Sequence, residues 1–242
     1  MKKQSTPTEI DQVNKRLSAG KVFATIKKAT LSDEIYVALR EGLMIGEWLP
    51  GAKITARNVA KQYKTSLSPA RDAMTRLANE GGLLLSETRM YSVPQLTAND
   101  YMEVINIRLT LEPIAAEQAM TNITDNEIME LDQLNDDMRR LIENGQFREG
   151  LILDSRFHLD FYRLCNSSVL RQVIDNLWLR IGPTRNMLSQ SYRRELAGYQ
   201  HHKLILQALR DQDSTRVSKL ISRDLKQGAI RIRKTLRETT VH

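Results

Sequence analysis

The chain has 242 residues, with 36 Lys and Arg against 29 Asp and Glu and a formal net charge of +7, enough length for two domains that each bury a core. No apolar run approaches the ~18 residues of a membrane span, and the basic N-terminus lacks the apolar stretch of a signal peptide. A single cysteine, Cys165, cannot form an internal disulfide, so the expectation is a cytoplasmic protein with no membrane partner.

Charge is unevenly spread. Residues 1–96 hold 15 basic against 9 acidic side chains, net +6, whereas 97–242 hold 21 against 20. Clustered positive charge is what phosphate neutralisation requires. Residues 1–29 are polar and basic and read as a flexible arm. A helix follows over 31–45, ended by Gly46 and the turn Trp48-Leu49-Pro50-Gly51.

The stretch from Ile54 to Leu77, ITARNVAKQYKTSLSPARDAMTRL, reads as a helix-turn-helix, whose second helix presents its first turns to the major groove of DNA. Val59, Ala60 and Tyr63 share one face of the first helix and leave Arg57, Lys61 and Lys64 for solvent or phosphate. Ser66 is placed to cap the second helix, with Pro69 tolerated in its first turn. Ala70, Ala73, Met74 and Leu77 have the spacing of a buried stripe. Ser68, Arg71, Asp72 and Thr75 then face outward. The DNA-contacting set predicted here is Arg57, Lys64, Thr65, Ser66, Ser68, Arg71, Thr75 and, further along the chain, Arg89. An ordinary helical hairpin with solvated faces would show the same spacing. The runs Leu83-Leu84-Leu85 and Tyr91-Ser92-Val93 are short enough to form a hairpin, a wing with Arg89 near its tip.

From Thr97 onward the pattern is helical. Thr97-Ala98-Asn99-Asp100 and Thr124-Asp125-Asn126-Glu127 are capping boxes. Helices are expected near 98–121, 125–144, 147–166, 168–191, 194–212 and 214–237, with Pro113 and Pro183 kinking or dividing the first and fourth. The fold class expected is mainly α: a flexible arm over 1–29, a winged helix-turn-helix domain over 30–96, and an all-α bundle of about six helices over 97–242.

Two constellations in the bundle carry chemistry. Asp154 and His158 are four residues apart, so both project from one helix face; a simple hydrogen bond between them accounts for the spacing as well as a metal does. The chain has four histidines, at 158, 201, 202 and 242, and periodicity does not choose between His201 and His202 as a partner. Arg108 interrupts the apolar stretch Val104-Ile105-Asn106-Ile107-Arg108-Leu109, and a buried guanidinium needs a carboxylate. That carboxylate is either an internal one such as Glu112 or that of a bound organic acid. The last helix is strongly basic: residues 216–242 carry 8 basic and 2 acidic side chains, a solvated face or one that approaches acidic helices or DNA.

The order of these parts resembles the GntR family of bacterial transcription regulators, in its FadR-type (FCD) branch. The resemblance rests on Leu49-Pro50-Gly51, Pro69-Ala70-Arg71-Asp72-Ala73-Met74, Arg108-Leu109-Thr110-Leu111-Glu112-Pro113, Asp154-Ser155-Arg156-Phe157-His158 and His202 ahead of Ala208-Leu209-Arg210, and spans about residues 30 to 235. It implies a homodimer on a palindromic double-stranded DNA operator, a transcription regulator, most simply a repressor. It also implies a small carboxylate effector, with Arg108 as its counter-charge. Arg57, Ser66 and Arg71 match DNA contacts of the family. Leu67 stands where a recognition arginine is usual, and the glycines usual at the wing tip are absent, with Thr88 and Met90 flanking Arg89. The family's metal-binding members use one Asp and three His. Here the matching positions are Asp154, His158, His202 and Asp224, an Asp2His2 set able to hold zinc, nickel or manganese. The alternative is a metal-dependent hydrolase with a nucleic-acid-binding N-terminal domain. It lacks an HExxH motif and an adjacent His-Asp pair, since Leu159 follows His158.

Overall fold

The computed structural model describes residues 30–239; the arm expected over 1–29 lies outside the described residues. Helix α1, Leu31–Met44, opens on a reciprocal cap. Asp33 N donates to Thr30 Oγ1 at 3.2 Å and Thr30 N donates to Asp33 Oδ2 at 2.9 Å, satisfying two otherwise orphaned donors. The bonds from Thr30, then Arg76, hold the Asp33 carboxyl down at about 2.

The helix-turn-helix is α2, Ala56–Gln62, and α3, Leu67–Asn79. Ala70, Ala73, Met74 and Leu77 are buried as the spacing predicts, and pack with Ile35, Leu39 and Leu43 of α1. The wing is a hairpin of β2, Leu84–Leu85, and β3, Tyr91–Ser92, shorter than the runs read from sequence. A further strand, β1, Lys53–Ile54, was not foreseen. It pairs antiparallel with β3, Ile54 opposite Tyr91, giving the order β1-β3-β2. Two residues carry no period of their own; this strand exists only because β3 offers it a free edge.

The bundle comprises α4, Ala98–Met120; α5, Asp125–Glu143; α6, Phe147–Arg163; α7, Ser168–Ile181; α8, Gln190–Arg194; α9, Ala197–Arg210; and α10, Ser214–Thr239. Both predicted capping boxes form, at Thr97 and Thr124. The two prolines behave differently. Pro113 is buried inside α4 and does not divide it. Pro183 does divide the fourth expected helix: α7 stops at Ile181, and a 3₁₀ turn, Pro183–Met187, follows. Leu188 is extended, with ψ 128°, so the segment restarts as the short α8 and α9 begins at Ala197, three residues later than expected.

Helix α4 packs along α10 and against α7, α5 along α6, and α9 bridges α5 and α10. Phe157, Phe161, Trp178, Ile205, Leu206 and Ile221 fill the centre, continuous with the core of the DNA-binding half through α1 and α7. No helix among the described residues is long and apolar enough to cross a membrane.

Candidate functional site

The outer face of the N-terminal half is a groove in which α2, α3 and the wing bring Arg57, Leu67, Arg71, Thr75 and Arg89 together. Lys64, Thr65, Ser66 and Ser68 are not in its lining; they occupy the inter-helix turn and the first turn of α3. Lys64 is exposed and left-handed, with φ 51°. Ser66 stands at the N-cap position, but its side chain makes no cap bond, contrary to the sequence expectation. The first N–H groups of α3 are therefore left to solvent or to a phosphate. The wing turns without glycine because Arg89 itself adopts φ 57°, held by Arg89 N donating to Ser86 O at 2.9 Å and Met90 N donating to Ser86 Oγ at 3.1 Å. Thr75 Oγ1 and Tyr91 Oη share a hydrogen bond of 2.8 Å, tying the recognition helix to the wing.

The second site lies inside the bundle. Helix α6 supplies Asp154 and His158, one turn apart, α9 supplies His202, and α10 supplies Asp224. Ligand atoms of Asp154, His158 and His202 lie within 4.8 Å of one another. His158 Nε2 is 3.2 Å from His202 Nε2 and 3.2 Å from Asp224 Oδ2, and His202 Nε2 is 3.7 Å from Asp154 Oδ1. Asp154 and His158 do not bond each other. His158 Nε2 faces His202 of α9 and Asp224 of α10, and Tyr162 of its own helix brings Oη to 3.5 Å from its Nδ1.

Asn135 of α5, which sequence reasoning missed, sets the chemistry of His202. Its Nδ2 donates to Tyr199 O at 3.2 Å, so its Oδ1 faces His202 Nδ1 at 3.0 Å. An acceptor there requires a proton on Nδ1, leaving Nε2 as a lone pair aimed into the cluster. A signal existed: Asn135 sits on the apolar stripe Ile128, Leu131, Met138 of α5. His202 also stacks on Phe157, ring centroids 3.8 Å apart. Burial, then the proximity of His158, holds it well below the usual imidazole range. For Asp224 burial pushes upward, but bonds from His158 and His201 prevail and hold the carboxyl well below its usual value. His201, left open in the sequence, lies beside the cluster with Nδ1 3.4 Å from Asp224 Oδ1.

Two arginines flank this centre. Arg108 and Glu112 are both buried and joined through Arg108 Nε to Glu112 Oε1 and Nη2 to Oε2 at 3.2 Å. Trp178 Nε1 donates to the same carboxylate at 2.9 Å. The guanidinium of Arg108 is thus already committed to an internal acid. Arg185, unforeseen in the sequence, is the arginine that lines the cleft beside Asp154. It binds the Asp154 carboxylate and donates to Ser155 Oγ at 2.9 Å. Burial, then the charge of Arg108, brings Arg185 down to about 10, still cationic at neutral pH. The cleft opening onto Asp154, Arg185 and Asp224 has mainly apolar walls, among them Met138, Phe147, Leu151, Leu188 and Leu196. A Cβ at Gly198 would lie 3.1 Å from Asp154 Oδ1, so glycine there lets α9 approach the carboxylate.

Comparison with known proteins gives this arrangement a lineage. The description "Bacterial regulatory proteins, gntR family" matches residues 31–89, and "FCD domain" matches residues 103–227. The chain belongs to the GntR family, in its FCD branch. The HTH-type transcriptional regulator McbR of Escherichia coli is 28% identical over 78% of this chain and 86% of its own. The Nta operon transcriptional regulator of Aminobacter aminovorans is 32% identical over 68% of this chain and 77% of its own. The solved structure of E. coli McbR/YncC superposes with a TM-score of 0.74 at 26% identity, covering 83% of this chain and 95% of that one. This GntR protein is a transcription regulator, and the hydrolase alternative finds no counterpart among these relatives.

Proposed function

We propose that this GntR protein is a homodimeric repressor whose bundle senses a small organic acid through a divalent cation held by Asp154, His158, His202 and Asp224. The observation that carries the sensory half is the fixed tautomer of His202. His158 Nε2 is 3.2 Å from both His202 Nε2 and Asp224 Oδ2, and His202 Nε2 is 3.7 Å from Asp154 Oδ1. Donors around one cation with bonds of about 2.0–2.2 Å stand roughly 3–4 Å apart, and Asp224 joins the mutually close trio of Asp154, His158 and His202 through His158. The residues present fit such an ion. Two carboxylates and two imidazoles favour zinc, nickel or manganese over softer ions.

When bound, the cation supplies an electrophilic anchor for one effector oxygen. The chain does the rest. Asn135 keeps the lone pair of His202 on Nε2, Arg185 brings a second positive charge to the mouth of the cleft, and the apolar walls exclude water from both. Arg108 acts from behind, through Glu112 and Trp178.

For the DNA half, Arg57, Arg71 and Arg89 surround one groove; Lys64, Thr65, Ser66 and Ser68 are placed for the flanking phosphates. Thr75 positions the wing through Tyr91. Exposed Ile107 and Ile114 of α4, and Val169 and Val173 of the adjoining α7, offer an apolar face for the second copy. Calorimetric titration with MnCl₂, NiCl₂ and ZnCl₂ tests the sensory site, and operator selection from random DNA tests the reader. Uptake of one ion per chain, abolished in His158→Ala and His202→Ala, is the expected result; no uptake of any of the three ions removes the metal from the account.

A further inference from the structure

The 3₁₀ turn Pro183–Met187 is shared by the two halves of the molecule. With about three residues per turn, successive side chains leave such a helix ~120° apart. Arg185 and Asn186 therefore point in different directions. Arg185 reaches inward to Asp154 and Ser155, and its guanidinium lies 4.7 Å over the ring of Trp178. Asn186 reaches the DNA-binding half: its Nδ2 donates to Gly46 O at 2.9 Å and Trp48 O at 3.4 Å, and to Pro183 O of its own turn at 3.1 Å.

The backbones also touch. A Cβ at Gly182 would fall 2.1 Å from Leu43 O and 2.5 Å from Met44 O, and one at Gly46 would fall 3.0 Å from Gly182 O. No side chain separates the end of α1 from the start of the turn. Elsewhere the two halves are tied by side chains: Arg40 Nη2 donates to Asn176 Oδ1 at 2.7 Å, Arg40 Nη1 lies 3.6 Å from Asp175, and Arg148 reaches Glu47 O. A displacement of the turn therefore re-aims the DNA-binding half against these ties.

We propose that this turn transmits the state of Asp154 to the DNA-binding half, with Arg185 as the sensing residue and Asn186, backed by Gly182, as the coupling residue. The natural trigger rests on the metal reading above. A cation held at Asp154 Oδ1, the oxygen that faces His202, would draw charge from the carboxylate whose Oδ2 binds Arg185 and would repel its guanidinium, so loading the site would weaken the ion pair seen here. Each state then favours its own placement of the turn, which is the differential interaction that any ligand-driven shift requires. Packed interfaces respond to such shifts by switching between arrangements rather than by yielding gradually.

Hydrogen exchange on the full-length protein tests this. In Arg185→Gln, amides of residues 41–52 are expected to exchange about fivefold faster or more, although no Arg185 bond to that segment is required. Asn186→Ala produces the same acceleration, and the double variant adds little to the larger single effect. Asp154→Asn, which removes the partner and keeps Arg185, moves the same segment. Residues 157–161 at the bundle centre remain protected, which marks a folded variant. If Arg185→Gln unfolds the chain, Asp154→Asn decides. Unchanged exchange over 41–52 in a folded Asp154→Asn or Arg185→Gln protein overturns the proposal, as does simple additivity with Asn186→Ala. MnCl₂ is expected to move the segment in the native chain. Absence of a binding heat with MnCl₂ would count against the metal reading alone, because the substitution arms judge the coupling without it.

Discussion

His202 Nδ1 lies 3.0 Å from Asn135 Oδ1, and this bond decides which nitrogen of a buried histidine is free. Were the amide reversed, the lone pair would point at α5 and the cluster would hold one ligand fewer. Asn135→Leu should therefore lower manganese or zinc affinity about 10–100-fold with the fold retained, as loss of a ligand-orienting bond does. Competition against a chromogenic chelator measures it, and an unchanged affinity would remove Asn135 from the site.

Acidification should weaken the metal-free protein from about pH 6.5 downward. The folded pKa of His202 lies well below its unfolded value. Between the two the unfolded chain binds more protons, and each pH unit costs about 1.4 kcal/mol until the folded pKa is reached. The lowered carboxyl of Asp224 adds a loss of the same sign, but only at more acidic pH. Urea titrations at pH 7.5, 6.0 and 5.0 report the slope, and His202→Phe, which keeps the stack on Phe157, should flatten it. Proton competition with metal at His202 sets in only at more acidic pH, since only the neutral ring binds and the folded ring stays neutral well below the usual imidazole range.

Removal of one partner from the Arg108–Glu112 pair leaves the other charge buried. Glu112→Leu should cost about 3–5 kcal/mol of stability, whereas Arg108→Met with Glu112→Leu should cost less than Glu112→Leu alone. Urea midpoints of the single and double variants decide. A small single effect would mean that Arg108 finds another acid.

On an operator selected from random DNA by the native chain, Arg57→Ala and Arg71→Ala should each weaken binding by about 1–3 kcal/mol if they reach base edges. Leu67→Arg should shift the selected sequence toward a guanine in each half-site, because a guanidinium reads guanine bidentately where leucine offers apolar contact. Thr75→Val, which frees Tyr91, should weaken binding without altering its salt dependence. A changed salt slope would instead place Thr75 among the phosphate contacts.

Much of this was legible in the residues because it is local. The stripe Ala70, Ala73, Met74, Leu77 and the boxes at Thr97 and Thr124 are set by helix geometry and backbone donors, and each appears where the spacing puts it. Strand β1 was not legible, because its two residues are ordered only by pairing with β3. The break after Ile181 was half legible: Pro183 marks it, but the following segment keeps a helical pattern that the extended Leu188 interrupts. In the candidate site, Asp154 and His158 share one helix and could be paired on paper, whereas Arg185 reaches Asp154 across 31 residues, a meeting that no periodicity encodes. Asn135 was visible as an amide on an apolar face, but only the fold says what it holds.

On the proposed reading, Asp154, His158, His202 and Asp224 share one divalent cation. X-ray fluorescence and anomalous scattering on crystals of protein purified without chelator test it most directly. The expected result is an anomalous peak bonded to His158 Nε2 and His202 Nε2 and to the carboxylates of Asp154 and Asp224, with Arg185 shifted from its place beside Asp154. Crystals soaked in manganese, nickel and zinc that show no peak there, with Arg185 still on Asp154, would contradict it.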